Sequence, residues 1–302
     1  MPAPAAPPAP EETQGRPRFP CPPRGAGGAQ PGPGGAHWAA HPLFEPIAGL
    51  LARFPDGLPD AARLTATLRE VAPDAVCGAG LPLRFVLPPA VAPAYEAHIH
   101  ATGEVPTRAD DWHDFFNALA WCVWPQAKAA CNARHLEVLR QREAAGLGGR
   151  GPQRDVLTQF DECGVLVVSC DPQIPALLAA HEWLEVFWTR RARLVATTRF
   201  LVFGHASWDQ LRAPFIGLCA KALYRVVPPG WFEQPAAQCQ AEADAWLAGR
   251  LADAQCPLGR EHLSPLPLLG IPGVTPESEA ADYYTDTRQF RPLRRKAAPA
   301  PS

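Results

Sequence analysis

A chain of 302 residues, 47% of them apolar, is long enough to bury one large core or two modest ones. Its formal net charge of −2 and pI near 6.5 supply no global field to draw in nucleic acid or an anionic membrane, so binding driven by net charge alone is excluded. Nine widely spaced cysteines without a Cys-x-x-Cys pair argue against a zinc knuckle and against a disulfide framework, and are expected as buried, reduced thiols.

The chain opens on alternating Pro, Ala and Gly with almost no branched aliphatics, too little apolar surface to offset the entropy of ordering. Residues 1–36 are expected to be a disordered leader, 37–293 a single globular domain, and 294–302 a disordered tail. No stretch reaches the roughly 18–20 unbroken apolar residues of a membrane helix, and the start lacks the basic and apolar regions of a signal peptide. The expected setting is the cytoplasm, without membrane association.

Phe44, Ile47, Leu50, Leu51 and Phe54 have near-helical spacing, ended by Pro55-Asp56-Gly57. A second helix runs from about Asp60 to Pro73 on Leu64, Leu68 and Val71, and Leu83 to Leu87 reads as a strand. Tyr95 to His100 fits helix or strand. From Asp111 the pattern is plain, because Trp112, Phe115, Phe116, Leu119 and Val123 fall at i, i+3, i+4, i+7 and i+11, with Asp110 or Asp111 as N-cap. His113, Asn117 and Trp124 lie together on the adjoining flank, and Asp114 and Trp121 further round.

Pro125 opens the next helix, to about Ala145, and the glycines at 146, 148, 149 and 151 break it. Arg154 to Val168 reads as a β-hairpin turning at Asp161 to Gly164. On that reading Asp155 and Asp161 share a strand face roughly 20 Å apart, too far to hold one metal ion together. Pro175 to about Arg193 reads as one helix, with Arg190, Arg191 and Arg193 complementing its C-terminal dipole. Thr197 to Phe203 is a strand ending at Gly204-His205-Ala206, Leu218 to Val227 is helix or strand, and Ala236 to Ala254 is a helix. Leu266 to Val274 has neither period and is expected as an extended strap docked on the surface.

These segments contain a recognisable series: Val105-Pro106-Thr107-Arg108, Trp112-His113-Asp114-Phe115-Phe116-Asn117-Ala118-Leu119, Trp124-Pro125 with Lys128 and Asn132, Arg154-Asp155-x-Leu157-Thr158-x-Phe160-Asp161-Glu162, Phe203-Gly204-His205-Ala206, and Leu269-Gly270-Ile271-Pro272-Gly273 with Asp286 and Phe290-Arg291-Pro292. Together they resemble the bacterial family catalogued as domain of unknown function 3025, over about residues 43 to 292. Gln159 and Ser207-Trp208 depart from the family pattern without removing an ionisable group. That family carries no assigned reaction, substrate or cofactor, so the resemblance implies a bacterial source and one family unit over most of the chain.

The candidate site is built on His113, Asp114 and Asn117, with His205 from the strand-to-helix turn and a carboxylate from Asp155, Asp161 or the Asp161-Glu162 pair. Histidine ligates through a neutral nitrogen or titrates near neutral pH, and a carboxylate beside it fixes its orientation. His113, His205 and Asp155 would match a divalent metal site with open positions. The same residues also have purely structural uses: Asp114 at a helix start, Asn117 pinning a loop, Asp161 and Glu162 capping a turn. Convergence decides between them, since side chains more than roughly 12 Å apart cannot share a metal whose ligands stand about 2 Å away. No Gly-x-Ser-x-Gly elbow is present, and Cys122 and Cys131 sit among alanines and aromatics, where thiols are inert.

The expectation is therefore an α+β, predominantly helical domain with a small antiparallel sheet. Its expected activity is that of a hydrolase-type enzyme with a His/Asp/Asn polar site and a divalent metal. The alternative is a non-catalytic module binding a small molecule or protein through Trp121, Trp124 and the 266–274 strap, with no nucleic-acid partner in either case.

Overall fold

The computed structural model describes residues 41–89 and 94–293; the expected leader and tail lie outside them. A 3₁₀ turn (Pro42–Ile47) leads into α1 (Ala48–Leu51). Helix α2 (Ala61–Val71) starts where the Asp60 carboxylate accepts the Arg63 N–H at 2.7 Å. Next come β1 (Arg84–Val86), α3 (Tyr95–Thr102), β2 (Glu104–Pro106) and α4 (Trp112–Val123). Asp111 caps α4 by accepting from the Asp114 N–H at 3.0 Å. Helix α5 (Pro125–Ala144) has Pro125 in its first turn and no side-chain cap of its own.

Residues 154–168 are not a hairpin. They divide between a helix, α6 (Gly151–Cys163), and a strand, β3 (Gly164–Ser169). Val156, Leu157 and Phe160 have helical spacing, and Pro152 starts the helix; strand begins only where Gly164 to Val168 becomes continuously apolar. At about 100° per residue, Asp155 and Asp161 then point about 120° apart.

The expected helix over 175–193 is also broken. Helix α7 (Gln173–Ala179) stops before His181, whose φ of 60° turns the chain, and a π-helical turn (Glu185–Thr189) precedes α8 (Arg191–Thr197). Trp183 anchors the break by donating its Nε1 proton to the Arg291 carbonyl at 2.9 Å. The three arginines serve acids instead of a helix end: Arg190 pairs with Glu185, Arg191 with Glu279 and Arg193 with Asp171.

The remaining elements are β4 (Thr198–Val202), α9 (His205–Leu211), β5 (Cys219–Val226), α10 (Ala236–Ala252) and β6 (Ser264–Pro267). The fold is α+β, with a four-stranded sheet of order β4-β3-β5-β6. Its orientations are mixed, which corrects the antiparallel expectation. β3 runs antiparallel to β4 but parallel to β5, and β5 runs antiparallel to β6. β1 and β2 form a separate parallel pair.

Strand β3 is buried on both faces, and this explains its unbroken apolar sequence. Val165 and Val167 enter one core with Phe116, Leu119 and Trp208, whereas Leu166 and Val168 enter another with Trp124, Phe160 and Leu247. Each fully buried side chain of this kind contributes roughly 1.5–3 kcal/mol relative to exposure. Helix α4 is buried well beyond its apolar stripe: Trp121 and Trp124 are core residues, and Trp124 Nε1 donates to the Val202 carbonyl at 2.8 Å. The 266–274 segment is not an extended surface strap either: it starts within the last two residues of β6, continues through a 3₁₀ turn (Leu268–Gly270), and buries Leu266, Leu268 and Ile271. Of the surface expected for a binding module, Trp121, Trp124 and residues 266–271 are thus interior, and only residues 272–274 keep exposure.

The first turn of α5 is capped from another helix. Asp244 of α10 accepts the N–H groups of Ala127 at 2.8 Å and Gln126 at 3.1 Å, and burial raises its carboxyl to about pKa 6 despite those donors. The unfolded value is about 3.9, so between pH 4 and 6 the native state holds this proton while the unfolded chain does not. Wild type therefore gains stability as pH falls through 6, a gain an Asp244→Asn variant lacks. The stability difference between the two is expected to move in favour of wild type by about 2–3 kcal/mol from about pH 8 to pH 4. Urea denaturation at each pH measures it, and a difference independent of pH contradicts the buried cap.

Candidate functional site

The site forms where β3 begins and β4 ends. There the Gly164 carbonyl accepts from the N–H groups of both Phe203, at 2.9 Å, and Gly204, at 2.8 Å. A Cβ on Gly204 would stand 2.5 Å from the Cys163 Cα and closer still to the amide nitrogens of Cys163 and Gly164. Glycine is needed here for close approach of two backbones, not for an unusual dihedral, since its φ is −74°. The crossing sets the first residue of α9 against the last turn of α6.

That residue is His205, whose Nδ1 lies 3.0 Å from the Asp161 carbonyl oxygen. A carbonyl only accepts, so Nδ1 carries the proton and the neutral ring presents an unprotonated Nε2. Burial, reinforced by the Lys128 charge, lowers the His205 pKa to about 3 and keeps the ring neutral. Its Nε2 lies 3.1 Å from His113 Nε2 and 3.6 Å from a Glu162 carboxylate oxygen, which is itself 3.9 Å from His113 Nε2. His113 comes from the first turn of α4 and Glu162 from the last turn of α6.

His113, Glu162 and His205 are therefore three donors converging from three helices, all within 4.8 Å of one another. Zinc ligand atoms at about 2.0–2.2 Å from the ion stand ~3.3 Å apart in a tetrahedron, close to these spacings. The donor set fits a divalent cation of the zinc class. His113 and Glu162 are roughly two-fifths exposed, and His205 is 5% exposed, so the group opens on one side.

That side is a cavity of about 370 Å³ between α3, α4, α5 and α6. A connected polar network runs behind the triad. Lys128 of α5 donates to Asp161 at 2.6 Å and to the Asn117 carbonyl oxygen at 3.0 Å, and the Asn117 amide donates to the Tyr95 hydroxyl at 2.8 Å. Burial alone would raise the Asp161 carboxyl, but the Lys128 ammonium holds it below the usual carboxylate range. Burial raises Glu162, with His113 opposing, and pushes the Tyr95 phenol well above its ordinary range.

The residues expected from sequence are placed differently from one another. His113 and His205 meet directly, Asn117 and Asp161 join the network behind them, and Asp155 lines neither the triad nor the cavity. Asp114 faces the cavity, but its carboxylate is gripped by Arg108 at 2.8 Å through two guanidinium nitrogens and by the Arg108 backbone N–H at 2.7 Å. Those bonds hold its pKa down against burial. Of the carboxylates weighed, Glu162 and not Asp155 meets the histidines, while Lys128, Tyr95 and the cavity-lining Glu96 went unnoticed as site residues. Lys128 had a signal, a lone cation within Ala127-Lys128-Ala129-Ala130-Cys131 on a helix.

Among the described residues no helix is long and apolar enough to cross a membrane. Searches of curated proteins and of solved structures find no match to the chain. The family profile described as "Protein of unknown function (DUF3025)" matches residues 83–294, more than two thirds of the sequence and every residue of the triad and its network. The chain belongs to this DUF3025 family.

Proposed function

We propose that the protein is a hydrolytic enzyme that holds a divalent metal on His113, Glu162 and His205, in the bacterial cytoplasmic setting expected from its sequence. The observation that carries this reading is the convergence of two imidazole Nε2 atoms at 3.1 Å, one with its tautomer set by the Asp161 carbonyl, beside a carboxylate. A metal-ligating histidine commonly donates its other ring N–H to a carbonyl or carboxylate, which fixes the ring and strengthens the ligand. His113, Glu162 and His205 would hold a zinc-class ion with three protein ligands, and the ion would supply Lewis acidity and the means to ionise a water near neutral pH.

The chain's own residues bind and orient. His205 is a neutral ligand set by main chain, Lys128 holds Asp161 in place, and Tyr95 accepts from Asn117, leaving its hydroxyl proton to a substrate. The cavity of about 370 Å³ suits a small molecule.

Metal analysis of protein purified without an affinity tag, followed by zinc titration, tests this reading. Wild type is expected to bind about one equivalent. Both His113→Ala and His205→Ala are expected to weaken binding at least about a hundredfold, beyond the 10–100-fold typical of losing an outer partner. Wild type without metal affinity, or folded variants that bind as wild type does, would overturn it.

A further inference from the structure

One wall of the cavity is not used by the triad. On α6 and the residue before it, Arg150, Arg154, Thr158 and Glu162 recur every four positions, so the face that ends in the metal-binding glutamate begins with two arginines and a hydroxyl. The other cations at the cavity are committed, Arg108 to Asp114 and Lys128 to Asp161 and Asn117. Among the described residues neither the Arg150 nor the Arg154 side chain makes a hydrogen bond or ion pair, and the Arg154 Nε is buried without an acceptor.

A buried guanidinium donor left unpaired is costly, and native structures rarely retain one without a use. Across the same cavity, His135 of α5 has a buried Nδ1 without a partner, and burial lowers its pKa to about 4. The four carboxylates on these walls do not take up the arginines: Asp114 and Asp161 have their own cations, Glu96 accepts from the Asn132 amide at 2.6 Å, and Glu162 lies beside the two histidines. Both arginine charges nonetheless reach into the site, where Arg150 acts on Glu162 and Arg154 on Glu96.

We propose that Arg150 and Arg154, with the Thr158 hydroxyl, form an anion-binding arm of this cavity, and that the substrate is a small molecule bound through a phosphate group. Two guanidiniums and a hydroxyl offer more donors than the two oxygens of a carboxylate can accept, whereas a phosphate monoester presents three oxygens in a geometry suited to paired arginine forks. Hydrolysis of that molecule rests on the metal reading above; the anion arm itself does not.

The test uses inorganic phosphate as the probe and full-length protein stripped of metal with a chelator, followed by calorimetry. Wild type is expected to bind phosphate, with acetate at least about tenfold weaker. Arg154→Gln is expected to lose at least about tenfold in phosphate affinity, the scale of one charge-assisted hydrogen-bond pair, and Arg154→Lys to recover part of it. Neither variant removes a bond from the fold, so unchanged circular dichroism is expected in both. Phosphate binding without metal supports the arm even where the zinc titration fails. Zinc binding without phosphate binding, equal affinity for acetate, or an unchanged affinity in Arg154→Gln overturns the arm alone.

Discussion

Gly204→Ala is expected to destabilise the protein by about 3 kcal/mol or more, at the upper end of overpacking substitutions. The added methyl would meet the backbone of Cys163 and Gly164, and main-chain atoms cannot rotate away as a flexible side chain can. Either the two N–H bonds to the Gly164 carbonyl break or the start of α9 moves, and movement carries His205 away from His113. Metal affinity should therefore fall together with stability, although the substituted residue touches no ligand atom. Gly249 within α10 provides the control: nothing lies within 4 Å of its added Cβ, and alanine there is expected to stabilise by about 0.5–1 kcal/mol. Urea midpoints of the two variants, with zinc titration of each, check both statements. A Gly204→Ala protein as stable as wild type would mean that the close backbone contact of Gly204 with Cys163 and Gly164 does not exist in solution.

Removing the Lys128 side chain is expected to cost about 3 kcal/mol, because it strands Asp161. Lys128 is 4% exposed and Asp161 keeps 21% of its side chain open, so the cost falls at the lower end of the range for breaking a buried pair. The ammonium also lies 5.4 Å from the Trp121 ring and 5.9 Å from that of Phe203, contacts an alanine cannot replace. The Asp161 pKa is depressed in the folded state, so the pair stabilises above the unfolded carboxylate value of about 3.9 and its contribution is lost as pH falls through the lower folded value. At neutral pH the double variant Lys128→Met with Asp161→Asn should recover most of the loss, because no charge then remains unpaired. Denaturation of the single and double variants forms the check, and a Lys128→Ala protein within 0.5 kcal/mol of wild type, roughly the scatter of ordinary surface changes, defeats it.

Helices whose apolar residues hold one period over three turns were legible in the sequence, and the 112–123 helix with its Asp111 cap is the clearest case. The stretch from 154 to 168 was not, for a specific reason. Val156, Thr158 and Phe160 alternate as a strand would, while Val156, Leu157 and Phe160 also fit a helix, and only the cores on either side of the sheet choose between them. That choice decided the site as well. As a strand, the segment offered Asp155, Asp161 or the Asp161-Glu162 pair without choosing among them; as a helix it turns Asp155 away and presents Glu162 beside two histidines. His113 and His205 stood out from local context, a polar flank and a strand-to-helix turn. Tyr95 did not, and the lone-cation signal of Lys128 named no partner, because what defines the role of each lies far away in the chain.

The crossing at Gly164 and Gly204 separates two tasks that many sites entangle. His205 is aimed by main-chain atoms, through the Asp161 carbonyl and the backbone contact beneath it, whereas the cavity wall at positions 150, 154 and 158 is made of side chains. On the function proposed above, substitutions on that wall would alter which ligand is accepted without re-aiming the imidazole, so ligand preference would be free to drift or be engineered while the His205 ring stays in register.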